Sequence, residues 1–145
     1  DARLEFEVIP DEETELEAVV LRGSLDAADH AGKTAYFVGD EKALHGVLPT
    51  ILDADHSLVW GGRPRWIGFE KSGAKGLRID PGDAKIRLQD DRKSNASHFS
   101  LMAMTSGGEV LARKPIRISL EFTAQPPGTL AKEADKSAPR ATAGR

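Results

Sequence analysis

Ile116-Arg117-Ile118-Ser119-Leu120-Glu121-Phe122 alternates apolar and polar residues over its whole length. Successive side chains of a β-strand point to opposite faces, so this period of two predicts a strand with one buried and one wet face. The same alternation opens the chain in Leu4-Glu5-Phe6-Glu7-Val8 and stops before Pro10. Shorter strands follow from the same rule. Leu77-Arg78-Ile79 and Ile86-Arg87-Leu88 flank Asp80-Pro81-Gly82-Asp83, a Pro-Gly turn. Residues 99–103 lead into the turn Ser106-Gly107-Gly108 and then Glu109-Val110-Leu111-Ala112. Residues 16–21 and 34–38 are apolar runs that read as more buried strands.

Turn signals thus recur about every 8–12 residues, the spacing of an antiparallel sandwich or barrel. Residues 41–48 offer the one helical expectation. Asp40 would cap it, and Gly46 and Pro49 limit it to about two turns. The expected fold class is all-β: an immunoglobulin-like antiparallel β-sandwich over residues 1–123, followed by an extended C-terminal tail. That tail, residues 124–145, is rich in Ala, Pro and Lys and has no large apolar residue besides Leu130. Alone it buries too little surface to offset its ordering entropy.

Composition narrows the function classes. A chain of 145 residues suits one domain with a usable core. Its net charge of -3 supplies no long-range attraction for nucleic acid. No apolar run approaches the ~20 residues of a transmembrane segment. The sequence contains no cysteine, which removes disulfides, thiolate metal sites, iron–sulfur clusters and cysteine nucleophiles together. The chain begins at Asp1 rather than Met, so removal of a leader or excision from a longer protein is expected. Asn95-Ala96-Ser97 is a glycosylation sequon, a pattern short enough to arise by chance.

Both tryptophans lie in Val59-Trp60-Gly61-Gly62-Arg63-Pro64-Arg65-Trp66-Ile67-Gly68-Phe69. If residues 58–60 and 66–69 pair as a hairpin, the length of the loop sets the faces. A four-residue loop from Gly61 to Pro64 places Leu58, Trp60, Ile67 and Phe69 on one apolar face and turns Trp66 the other way; a five-residue loop sets Trp60 opposite Trp66, with Val59, Ile67 and Phe69 on the other face. The four-residue loop makes the cleaner core and is the expected one. Trp66 then either lies under a neighbouring element or, with Arg65 and Trp60, offers a stacking surface to a glycan; Tyr36 would add a further aromatic.

Asp53-Ala54-Asp55-His56 presents two carboxylates and an imidazole, so Asp53, Asp55 and His56 are candidate metal ligands and otherwise a polar turn. The four histidines, His30, His45, His56 and His98, show no pair at the i, i+4 spacing of a helical zinc site. Gly-x-Ser-x-Gly is absent, and Gly73-Ala74-Lys75-Gly76 lacks the strand–loop–helix setting of a phosphate loop. Asp90-Asp91-Arg92-Lys93-Ser94-Asn95 reads as a solvated loop of mixed charge.

The functional expectation is a non-enzymatic structural or interaction module of an exported bacterial assembly, such as a filament or surface-protein subunit. It would work at the cell surface, outside the cell or in the periplasm, without a cofactor. Its partners would be other protein subunits, including copies of itself, held by edge strands and the tail. A carbohydrate-binding module and a metal-dependent hydrolase are the alternatives.

Overall fold

The computed structural model describes residues 1–9, 15–16, 18–51, 58–71, 73–105, 110–111 and 116–137. Asp53, Asp55, His56, the turn at 106–108 and the last eight positions of the tail lie outside these residues.

Alternation does set the architecture. Ile116–Gln125 is a strand, β12, and Ala2–Val8 is β1, paired antiparallel to it with Leu4 opposite Leu120 and Phe6 opposite Ile118. Beyond β12 lie β8 (Gly76–Asp80), β7 (Trp66–Phe69), β4 (Thr34–Val38) and β5 (Ala43–Val47), completing a six-stranded sheet in the order β1-β12-β8-β7-β4-β5. A second, four-stranded sheet runs β3 (Val20–Asp26), β10 (His98–Met104), β9 (Lys85–Asp90) and β6 (Leu58–Gly62). A short ribbon pairs β2 (Glu15–Leu16) with β11 (Val110–Leu111). All the pairings are antiparallel, and the two large sheets make the sandwich that the period of two predicts.

The core lies between the sheets. Ile67, Phe69 and Ile79 of the larger sheet face Ile86, Leu88 and Phe99 of the smaller one, each no more than 2 % exposed. On β12 the inward residues are Ile118 and Leu120. The turn Asp80-Pro81-Gly82-Asp83 carries the chain from β8 in one sheet to β9 in the other.

Two expectations about helices are overturned. Residues 43–47 form β5, hydrogen-bonded to β4 from Thr34↔Val47 to Val38↔Ala43. The isolated segment has little preference: Gly46 penalises a helix, whereas pairing with β4 satisfies its backbone. The tail is not extended throughout. Residues 129–137 form a helix, α2 (Thr129–Ser137), and β12 itself runs on to Gln125. Leu130 and Ala134, one helical turn apart, are buried against Tyr36, Val38 and Trp66 on the outer face of the larger sheet. The segment cannot bury enough surface alone; it docks on a sheet that is apolar on both faces, as the fully buried β7 shows. Gly68 lets α2 approach, because a Cβ there would meet Leu130 and Trp66 at 3.0 Å.

A short helix, α1 (Ala27–His30), follows β3 and is capped by the Asp26 side chain. Among the described residues no helix is long and apolar enough to cross a membrane.

Candidate functional site

The two tryptophans do not form a hairpin. β6, which carries Trp60, pairs with β9, whereas β7, which carries Trp66, pairs with β4 and β8 in the other sheet. The intervening residues cross the sandwich instead of turning back. Gly62 starts the crossing at φ +145°, a conformation that residues with a Cβ rarely adopt.

Although no such loop forms, Trp60, Ile67 and Phe69 face the core and Trp66 does not, the division expected from a four-residue loop; the Leu58 side chain lies outside the described residues. Trp60 packs against the core that contains Ile67 and Phe69, at 5.9 Å from the Phe37 ring. Trp66 points to the outer face, where it is 3 % exposed beneath α2. The Arg78 guanidinium lies 4.8 Å above its indole. That cation is itself held by Asp80 at 2.9 Å and by Glu133 of α2 at 2.7 Å. The indole face a sugar would stack on is therefore covered by protein. Arg65 is exposed and pairs with Asp40 at 3.2 Å. Tyr36 is buried 6.3 Å from Trp66, and its burial together with Glu70 and Asp135 pushes its hydroxyl pKa up. Trp60, Arg65 and Trp66 thus face three different environments and do not converge on one ligand surface.

Polar chemistry elsewhere is tied into the fold. His30 is buried, with Nδ1 3.1 Å from the Glu70 carbonyl and its ring edge-on to Phe69. Among the described residues no group of three or more His, Asp or Glu side chains is placed to hold a metal ion. The segment from Asp90 onward is not a solvated loop. Asp90 is 1 % exposed and accepts from Arg92 Nη2 at 2.6 Å and Nε at 2.9 Å. Arg92 also donates to the Pro49 and Thr50 carbonyls at 2.7 and 3.0 Å and covers the Phe99 ring. The charges are buried because a 3-10 turn, Asp91–Ser94, folds the guanidinium back onto its own carboxylate and onto the strand-leaving segment after β5. Asp91 takes the Ser100 hydroxyl and lies 3.4 Å from His98 Nε2.

What remains unsatisfied is one side of the sandwich. The larger sheet is wider than the smaller by two strands, about 10 Å at the usual ~4.8 Å spacing. Its edge strand β1 overhangs. Register with β12 puts Leu4, Phe6 and Val8 on the core face, yet they are 46 %, 39 % and 37 % exposed. Opposite them the smaller sheet ends at β3. Neither β1 nor β3 has a described strand on its outer side. Between the two edges runs an apolar groove of about 200 Å³, with Leu4, Phe6, Leu21, Leu101, Leu120 and Phe122 among its lining.

No protein-family model and no curated protein matches the chain.

The opposite side differs. On β5 the exposed Leu44 and Val47 are three positions apart, so they point to opposite faces and build no apolar strip. Trp60 packs within 3.6 Å of the Cβ position of Gly46 and closes that flank. The first and last strands pair with each other: β1 lies at the sheet edge, and β12 has β1 on one side and β8 on the other. The first strand's alternation was visible in the sequence. Its overhang was not, because exposure of a core face depends on the unequal widths of the two sheets.

Proposed function

We propose that this chain is a non-enzymatic interaction module, a subunit of a larger protein assembly, whose contact surface is the open side between β1 and β3. The observation that carries this reading is the exposed core face of Leu4, Phe6 and Val8. A soluble domain gains nothing from leaving three large apolar side chains in line on one face, and such strips mark contact surfaces. The groove suits an extended strand. Backbone groups at the edge of β3 or β1 supply the ladder, and every second side chain of the incoming strand enters the apolar trough. Covering the exposed parts of the three side chains contributes on the order of 2–3 kcal/mol before the cost of association.

The test is a nonapeptide alternating valine and threonine, titrated into the protein and followed by fluorescence anisotropy. Binding is expected, and Phe6→Lys is expected to weaken it by about tenfold or more. Because Phe6 is already 39 % exposed, the same substitution should lower the melting temperature by no more than about 5 °C. Equal binding by the wild type and by Phe6→Lys would place the contact surface elsewhere.

A further inference from the structure

We infer that the occupant of this side is a second copy of the chain, joined antiparallel through β1 about a twofold axis at Glu5. The inference rests on reading the open side as the contact surface and adds the identity of the partner.

Register decides it. Side chains on paired strands must share faces, so only pairings that set Leu4, Phe6 and Val8 against residues of the same parity keep the apolar faces together. Of these, centring on Glu5 sets Arg3 opposite Glu7 twice and Leu4 opposite Phe6 twice, with Ala2 opposite Val8. Centring on Phe6 instead sets Glu5 opposite Glu7 twice with no opposite-charge contact; centring on Leu4 sets Arg3 opposite Glu5 twice but Asp1 opposite Glu7 twice as well, so each brings two like-charge contacts. The Glu5-centred pairing has a single one, Glu5 across the axis. Charge therefore selects one register, and a twofold axis lets a single strand supply both halves of the complementarity.

The full chain is expected to dimerise at concentrations on the order of 100 µM in low salt, as read by light scattering. Arg3→Glu and Glu7→Arg, each alone, turn two attractive contacts into two repulsive ones and are expected to weaken the dimer by about tenfold or more. Mixed in equal amounts, the two variants are expected to associate with each other. One then carries a carboxylate at both sites and the other a guanidinium at both, so each of the two cross-strand contacts is attractive again. Such rescue is not expected of variants that merely destabilise their own sheet. Dimerisation indifferent to these charges would overturn the β1 pairing. A monomeric chain that binds the valine–threonine peptide would overturn it too, while leaving the open side as a contact surface for other strands. A monomeric chain that binds no peptide would overturn both.

Discussion

Replacing Asp90 by alanine is expected to lower stability by about 2–3 kcal/mol, measured by urea denaturation at neutral pH. The carboxylate is almost completely enclosed and takes two side-chain donors from Arg92, whose own side chain is 16 % exposed. Removing it leaves a largely buried cation that keeps only the Pro49 and Thr50 carbonyls and the Phe99 ring. The loss is placed below the ~3–5 kcal/mol typical of a broken buried pair because those contacts remain. Acid should reveal the same linkage. The Arg92 guanidinium holds the Asp90 carboxyl below its ordinary value. A depressed carboxylate contributes stability that is present above its unfolded pKa of about 3.9 and lost as pH falls through its folded value. The stability gap between wild type and Asp90→Asn should therefore be full at neutral pH and narrow below about pH 4. A gap that stays constant down to about pH 2 would show that the pair does not control the acid limb.

Leu130→Ala is expected to cost about 3 kcal/mol, which would make the C-terminal helix part of the fold. Leu130 is completely buried, although it sits in a segment whose composition alone suggests no core. It fills the space above Gly68 and beside Trp66 that no neighbouring strand can reach. Truncating it exposes part of the indole and leaves α2 held by the small Ala134 contact and the Arg78–Glu133 ion pair. That pair is partly exposed and contributes on the order of 1 kcal/mol or less. The denaturation midpoint should fall, and tryptophan emission should shift to longer wavelength as Trp66 becomes wet. A variant with wild-type stability would mean that the helix adds nothing to the domain.

Local alternation carried most of what the sequence could say. Residues 116–122 and 4–8 are strands. The opposite facing of Trp60 and Trp66 does not follow from parity, because they share no hairpin; it is set by the crossing between the sheets. Pairing partners are another matter. That 58–62 and 66–69 join different sheets depends on contacts with β9, β4 and β8, far away in the chain. The helix at 129–137 left a trace in its helix-favouring Leu, Ala, Lys and Glu residues and in the spacing of Leu130 and Ala134, but its stability comes from the sheet beneath it. Burial of Asp90 and Arg92 was hidden for the same reason: the charges look solvated until the segment after β5 closes over them. The open side was half legible. The alternating strand at residues 4–8 announces an apolar face, and only the unequal widths of the sheets show that no described strand lies over it.

The most direct test of that uncovered face is amide hydrogen exchange with and without the valine–threonine peptide. Slower exchange confined to residues 1–9 and 20–26 is the expected result, because an added strand takes up the outward-facing backbone groups of β1 or β3. Protection appearing instead along β5 or around Trp60, with the first strand unchanged, would contradict the assignment of the contact surface to the open side.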